Sequence, residues 1–250
     1  LATERVGDDT LEVVAFWRPG FGSVTEHIEM TNSTMDEARK LPKVGWQRIR
    51  SEEQIEGRGR RGTNWHSKQG DMTASWSIGL DEINRWTPGL LQVSIGASIS
   101  EALGIQLKWP NDLIFQQKKC GGILLESSTS ERRIRIGVGL NKDAREIEGI
   151  SYAGWEDYFG DISAEDMFQI IDASIASILD SSPPIESSGN ILWQQKSWIK
   201  LSEILSRGVT AKYDEKIVNV VGLSNTGELK AFSATSKHDI QDVGAFSIIF

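Results

Sequence analysis

The chain has 250 residues, of which 39% are hydrophobic and 25% charged, and its formal net charge is −8. This is the composition of an ordinary globular protein, which excludes a disordered or fibrous chain. An acidic surface repels nucleic acid and anionic membranes, so a site for an anion needs a local cluster of cations. No apolar run approaches the roughly 18 residues of a membrane-spanning helix, and the single cysteine, Cys120, has no disulfide partner. We therefore expect a cytoplasmic protein that binds neither nucleic acid nor membrane.

Helical spacing of apolar residues predicts four helices. Thr34 and Glu37 form a capping-box pattern at the start of the first, and Thr87 followed by Pro88 suits the start of the second. Gly104 is typical of the residue after a helix end. The predicted helices cover Thr34–Leu41, Pro88–Leu103, Ser163–Ile178 and Trp193–Leu205.

Strict alternation of apolar and polar residues over Met72–Leu80 predicts the clearest strand. Further strands are predicted at Gln106–Trp109, Leu113–Phe115, Ile123–Glu126 and Arg133–Val138. A polar connection, Ser181–Asn190, separates this part from a later one. There the pattern predicts four short strands, at Val209–Lys212, Ile217–Leu223, Glu228–Phe232 and Phe246–Phe250. We expect a mixed α/β body over residues 1–205 and a small β-barrel over residues 206–250.

The segment Gly57–Gly62 reads GRGRRG and fits the glycine pattern of dinucleotide-binding folds. Its context does not fit, because a buried strand should precede such a loop and a helix should follow it. A phosphate-binding loop of the Walker-A type is excluded too, since Thr63 and Asn64 replace its lysine and hydroxyl residue.

What remains is a glycine-rich loop that carries Arg58, Arg60 and Arg61. Glycine lets backbone N–H groups approach a ligand closely, and guanidinium groups bind phosphate or carboxylate oxygens in pairs. The loop therefore indicates an anionic ligand. The alternative is an ordinary solvated turn of charged residues.

Two further segments are informative mainly in combination. The first is Lys108–Asp112, KWPND, followed by Lys119 and a Gly-Gly-Ile-Leu run. The second is Gly137–Asn141, GVGLN, at the end of a predicted strand. Taken alone, they are interpretable as a tight turn and as a bulge or a place where a ligand lies against the backbone.

Together with Ser33 and Thr34, these motifs occur in the order and approximate spacing of the biotin protein ligase family, which the chain resembles from Thr31 to about Trp155. The resemblance implies an α+β fold with a mixed β-sheet flanked by helices, as in biotin/lipoate ligase catalytic domains, and a C-terminal SH3-like β-barrel. It implies ATP-dependent formation of biotinyl-5′-adenylate and transfer of the biotinyl group to a lysine.

The resemblance also assigns site residues. Lys119, Arg60 and Asp112 would be catalytic, with Lys119 contacting both the biotin carboxyl group and the α-phosphate. The residues implied to bind biotin are Ser33, Thr34, Gln54, Gly57, Arg58, Arg60, Lys119 and Gly122. The residues implied to bind the nucleotide are Arg58, Arg61, Trp65, Asn111, Asn141 and Trp155, the last by packing against adenine.

The implied substrates are biotin and ATP, with Mg²⁺ near Asp112, and the implied acceptor is the biotin carboxyl carrier domain of acetyl-CoA carboxylase. A monomer and a homodimer are both open. Because the 32 residues before Ser33 carry six acidic side chains and only two basic ones, we expect a monofunctional enzyme without a DNA-binding domain.

The sequence departs from the family pattern at Met35, Thr63, Asp71 and Thr73, where Asn, Arg, Asn and an aromatic residue are usual. Two alternatives therefore stay open. One is a lipoate ligase or lipoyl transferase of the same superfamily, and the other is a non-catalytic biotin-binding regulator.

Cys120 is interpreted as a packed residue rather than a nucleophile.

Overall fold

The structure is a computed structural model. It describes residues 24–43, 45–181, 183, 210–213, 216–223, 226–232, 237–240 and 247–248. Within these ranges, no helix has the length and apolar character needed to cross a membrane.

The described residues form three α-helices and sixteen strands. The helices are α1 (Thr34–Lys40), α2 (Pro88–Leu103) and α3 (Ala164–Asp180). The strands are β1 (Val24–Thr31), β2 (Gln47–Gln54), β3 (Gly57–Arg58), β4 (Asn64–Trp65), β5 (Met72–Gly79), β6 (Gln106–Lys108), β7 (Asp112–Phe115), β8 (Lys118–Ser128), β9 (Arg133–Leu140), β10 (Arg145–Ile147), β11 (Ile150–Tyr152), β12 (Thr210–Tyr213), β13 (Lys216–Leu223), β14 (Leu229–Phe232), β15 (Lys237–Ile240) and β16 (Ser247–Ile248).

The main sheet has nine strands and is mixed. Its order is β1-β2-β5-β9-β8-β11-β10, and β7 pairs with β8 while β6 pairs with β7. The pairs β1–β2 and β8–β11 are parallel, and the other pairs are antiparallel. The prediction of a mixed sheet flanked by helices is confirmed.

The two faces of the sheet have different tasks. Alternate residues of β9, such as Ile134 and Ile136, belong to the main apolar core together with residues of α2 and α3. On the opposite face, the later positions of β9 are the glycines Gly137 and Gly139, and a Cβ placed on Gly137 would lie 2.9 Å from the Met35 sulfur in α1. The core face is therefore filled by long helices, whereas the other face leaves space above the strands.

The ends of the long helices follow the sequence signals. The Thr87 hydroxyl accepts a hydrogen bond from the Leu90 amide at 3.4 Å, and Gly104 ends α2 with a φ of 67°. Ser163 and Asp166 form a reciprocal capping box at the start of α3. The predicted helix Trp193–Leu205 and almost all of the predicted connection Ser181–Asn190 lie outside the described residues.

A separate antiparallel sheet follows, in the order β15-β14-β13-β12-β16. The sequence predicted four strands in this region and missed β15, because its polar sequence, KHDI, has no alternation of apolar residues. The strands β1 and β2 of the main sheet were missed for a related reason. β2 reads QRIRSEEQ, and arginine and glutamate hide its alternating burial.

The chain's cysteine provides a simple test of the packing of β8. Cys120 is 0% exposed, and burial raises the pKa of its thiol to about 12. Because the thiolate is the reactive form, we expect no reaction of the folded protein with a thiol reagent at pH 8. One equivalent should react after unfolding in denaturant. Rapid labelling under native conditions would contradict this burial.

Candidate active site

A cavity of about 290 Å³ opens above β5, β8 and β9, on the side of the sheet that faces α1. It is lined by residues at the start of α1, of the glycine-arginine segment and the residues that follow it, and of five strands of the main sheet, β2, β5, β7, β8 and β9. The lining residues are Ser33, Thr34, Met35, Gln54, Arg58, Gly59, Arg60, Arg61, Thr63, Asn64, Trp65, Ala74, Asn111, Asp112, Lys119, Gly122, Ile123, Leu124, Gly137, Val138 and Gly139.

One part of the cavity is a buried polar pocket at the start of α1. The Gln54 Oε1 atom accepts hydrogen bonds from the Thr34 amide at 2.7 Å and from the Thr34 hydroxyl at 3.0 Å. The Thr34 and Ser75 hydroxyls lie 2.8 Å apart. Because both donors require an oxygen, the orientation of the Gln54 amide is fixed, and its NH₂ group remains available as a donor. The pocket can therefore offer hydroxyl and amide groups to a polar ligand.

The floor of the cavity is the backbone of β9. A Cβ on Gly139 would lie 2.5 Å from the Trp65 ring. Trp65 therefore lies directly against the strand, and its indole covers a position that a side chain would otherwise occupy. This explains why the GVGLN segment carries glycine at both alternate positions.

The glycine-arginine segment is a small hairpin. Gly57 pairs with Trp65 and Arg58 with Asn64, and the Gly59 amide donates to the Thr63 carbonyl at 2.7 Å. Arg61, near the tip, has a φ of 57°, in the left-handed region. The half-buried strand β2 precedes the hairpin, but β4 and not a helix follows its loop, which agrees with the rejection of the dinucleotide-binding alternative.

The Arg58 guanidinium points toward α1 and β8 and joins an ionic cluster with Asp36, Glu126 and Arg39. The Arg58 Nη1 atom lies 2.7 and 2.8 Å from the two Asp36 oxygens, and Nη2 lies 3.7 Å from Glu126. Arg39 donates to Glu126 at 2.8 Å. These contacts connect the hairpin to a helix and to a strand of the sheet.

We expect Asp36→Asn to loosen the hairpin without unfolding the protein. Partly exposed ion pairs contribute about 0.2–1 kcal/mol each, so hydrogen exchange of amides 57–63 should accelerate by roughly two- to fivefold. The difference should shrink at high salt because of screening. Asp81→Asn, which breaks an exposed pair with Arg132, is the matched control. Unchanged exchange of the hairpin in Asp36→Asn would contradict this role of the cluster.

The charged residues Arg60, Arg61, Asp112 and Lys119 line the same cavity. The Lys119 ammonium lies 2.7 Å from an Asp112 oxygen and 6.0 Å from the centre of the Trp65 ring. Partial burial and the neighbouring Arg61 lower the pKa of Arg60, while Asp112 acts in the opposite direction. The guanidinium group remains a cation at neutral pH. A carboxylate, an ammonium group and guanidinium groups therefore line the same cavity.

Eleven of the fourteen site residues implied by the resemblance line this cavity; Gly57, Asn141 and Trp155 do not. Gly57 is close by, in the hairpin. Asn141 is buried and donates to the Ala153 carbonyl at 3.0 Å. Trp155 is 0% exposed in the core, and its indole N–H donates to the Ile162 carbonyl at 3.3 Å. The expected contact of Trp155 with adenine is therefore corrected, since no face of the ring is open to a ligand.

The departure at Asp71 has a local structural explanation. This buried carboxylate accepts hydrogen bonds from the Arg145 guanidinium at 2.7 Å and from the backbone amides of Lys142 at 2.9 Å and Lys68 at 3.0 Å. All three partners are donors, so two carboxylate oxygens fit them where an asparagine would present one NH₂ group to a donor. The chain thus compensates for the unusual Asp71 with Arg145.

Thr73 and Met35 also have defined surroundings. The Thr73 hydroxyl donates to the Ser51 carbonyl at 2.9 Å, and Met35 is 3% exposed at the wall of the cavity. Sequence reasoning missed Asp36 and Glu126 as partners of Arg58, because no local signal links residues 36, 58 and 126. Within the described part of the chain, no group of three or more His, Cys, Asp or Glu side chains has the arrangement of a metal site.

Comparison with known protein families indicates the class of protein to which the chain is similar. Residues 24–143 match the sequence profile of the biotin/lipoate A/B protein ligase family. This part of the chain carries β1 to β9 and all of the residues that line the cavity.

Two of the similar proteins are bacterial enzymes. The chain is 39% identical over 100 residues to the bifunctional ligase/repressor BirA of Bacillus subtilis, covering 36% of this chain and 31% of that protein. It is 31% identical over 126 residues to the biotin–[acetyl-CoA-carboxylase] ligase of Paracoccus denitrificans, covering 46% and 52%. The matches thus span about a third to a half of these curated relatives.

Among solved structures, the biotin protein ligase of Aquifex aeolicus in complex with biotin and ATP is similar over most of its length. The TM-score is 0.74 with 25% identity, and the alignment covers 90% of this chain and 98% of that one.

Proposed function

We propose that this protein is a biotin protein ligase, which uses ATP to attach biotin to a lysine of a biotin carboxyl carrier domain. The observation that carries the proposal is that one cavity is lined both by the polar residues Thr34 and Gln54 and by the charged residues Lys119, Arg60 and Asp112. A volume of about 290 Å³ is at the lower end of the roughly 300–1,000 Å³ of small-molecule sites. The names of the relatives and of the Aquifex complex support the same assignment.

In the first reaction, an oxygen of the biotin carboxylate attacks the α-phosphorus of ATP, and the bond to pyrophosphate breaks. Pyrophosphate leaves with the electron pair, and biotinyl-5′-adenylate forms. Two anions have to meet in this step, so the transition state needs positive charge. Lys119 and Arg60 would supply it, and Thr34 and Gln54 would hold the other end of biotin at its ureido ring.

In the second reaction, the amine of the acceptor lysine attacks the acyl carbon of the adenylate. The mixed anhydride breaks, AMP leaves with the electron pair, and the amine loses a proton. The arginine residues of the hairpin, which line the cavity, would hold the phosphate of the leaving group.

Mg²⁺ would accompany ATP and neutralise phosphate charge. It usually takes one or two protein carboxylates and completes its coordination with phosphates and waters. Asp112 fits this role as a single carboxylate, 31% exposed on its side chain and located at the wall of the cavity. Its ion pair with Lys119 would have to rearrange when the metal-nucleotide binds.

The proposal includes several features expected from the sequence. The five-stranded sheet would close as an SH3-like barrel over residues 206–250, following a catalytic domain over residues 1–205. The acceptor would be the carrier domain of acetyl-CoA carboxylase, and the location would be cytoplasmic.

Exchange of ³²P-pyrophosphate into ATP tests the first reaction. We expect exchange with biotin and none with lipoate. Exchange only with lipoate would favour the lipoate ligase alternative. Biotin binding without exchange, and without transfer to a purified carrier domain, would favour a non-catalytic regulator. Sequence-specific binding in a gel-shift titration would contradict the expected lack of DNA binding.

A further inference from the structure

The five-stranded sheet β15-β14-β13-β12-β16, called the small sheet from here on, contacts the main body close to the KWPND motif. The turn Thr226–Glu228 between β13 and β14 carries the contact. The indole N–H of Trp109 donates to the Gly227 carbonyl at 2.8 Å in a buried hydrogen bond. The Thr87 hydroxyl donates to the neighbouring Thr226 carbonyl at 3.4 Å.

Two glycines make the approach possible. A Cβ on Gly227, whose φ is 87°, would lie 2.4 Å from the carbonyl carbon of Gly89 and 2.6 Å from the Leu90 nitrogen. A Cβ on Gly89 would lie 2.6 Å from the Thr226 oxygen. All these neighbours are backbone atoms, so neither position accepts a side chain while the turn stays docked.

The chain continues from Trp109 to Asp112, the ion-pair partner of Lys119. Two residues after Trp109, the Asn111 side chain donates to the Ile123 carbonyl at 3.0 Å, and the Ile123 amide donates to the Asn111 carbonyl at 2.9 Å. The next residue, Asp112, pairs with Lys119 at 2.7 Å. The segment from Trp109 to Asp112 is therefore held by the small-sheet turn at one end and by β8 at the other.

We propose that Trp109 is a positioning residue that transmits the docked state of the small sheet to Asp112 and Lys119. This inference rests on the proposed function and extends it, because Trp109 does not line the cavity and acts only through the segment that follows it. The side chains of Thr34 and Gln54 bond to each other and to Ser75 rather than to the Trp109–Asp112 segment, so the affinity of their pocket for biotin should not depend on Trp109.

The first test is Trp109→Phe, which keeps an aromatic ring and removes the N–H group. We expect biotin-dependent pyrophosphate exchange to slow by roughly three- to tenfold, as for the loss of one buried hydrogen bond, while the dissociation constant of biotin changes by less than twofold. Trp46→Phe is the matched control. Trp46 is also buried, and its indole N–H has no acceptor among the described residues.

The second test is Gly89→Ala, which remains informative if Trp109→Phe does not fold. Gly89 occupies the first turn of α2, where alanine favours the helix, so an unobstructed position predicts a higher melting temperature. The docked turn predicts the opposite: the new methyl group displaces Thr226, exchange slows as in Trp109→Phe, and the melting temperature does not rise.

Unchanged exchange in Trp109→Phe would overturn the inference, as would equal losses of exchange rate and biotin affinity. A higher melting temperature with unchanged exchange in Gly89→Ala would overturn it too. A wild-type protein without any biotin-dependent exchange would instead contradict the proposed function. The two failures are distinguishable, because the melting temperature of Gly89→Ala reports on docking whatever the reaction.

Discussion

Replacing Lys119 with alanine should lower biotin-dependent pyrophosphate exchange by about 10²- to 10³-fold. This is the usual effect of removing one positioned donor to a developing negative charge. Lys119 lines the cavity beside Asp112, where the biotin carboxylate and the α-phosphate would meet. The dissociation constant of biotin should change less, since the polar pocket is intact. Steady-state exchange and calorimetric titration with biotin measure the two effects separately.

Lys118→Ala is the matched control for this prediction. Lys118 is the preceding residue of β8. It is exposed and does not line the cavity, so this variant removes the same kind of side chain outside the site. Near-normal exchange is expected for this variant. An active Lys119→Ala enzyme would eliminate the proposed mechanism, whereas equal losses in both variants would indicate damage to the strand.

Gln54→Leu should weaken biotin binding and leave the charged residues of the cavity, Lys119, Arg60 and Asp112, unchanged. Leucine cannot accept the two hydrogen bonds from Thr34 and cannot donate to a ligand. An unsatisfied buried polar group costs about 1–3 kcal/mol, which corresponds to roughly 5- to 150-fold in affinity. Calorimetric titration with biotin measures the loss.

The control is Gln169→Leu in α3, where the glutamine is exposed and donates a hydrogen bond to Glu165 one turn earlier. We expect full affinity for biotin in this variant. If Gln54→Leu also bound biotin normally, the polar pocket would not be the site of the ureido ring.

The elements predicted well are those whose signals are local. The strand at Met72–Gly79 alternates strictly, and α2 carries both a threonine cap and a terminal glycine, so propensity and packing agree. By contrast, β1 is an edge strand rich in polar residues. Its position depends on pairing with β2, and no pattern within the strand itself reveals this.

In the site, too, local features were predictable from the sequence and tertiary contacts were not. The motifs indicated which residue types gather at the cavity, since charge and hydrogen-bonding capacity are visible in the sequence. They did not reveal that Trp155 is enclosed by the core, because burial depends on the segments that pack around a side chain. The partners Asp36 and Glu126 of Arg58 were missed because contacts between distant segments arise only from the tertiary fold.

The glycine floor of β9 has a consequence for how this cavity can change. Met35 and Trp65 lie against the backbone of residues 137 and 139, so the main chain sets the depth of the cavity. Any side chain added at position 137 or 139 would reduce its volume. Room for a longer or wider vitamin analogue can therefore be gained by trimming the two side chains above, which makes them the natural starting points for engineering altered selectivity.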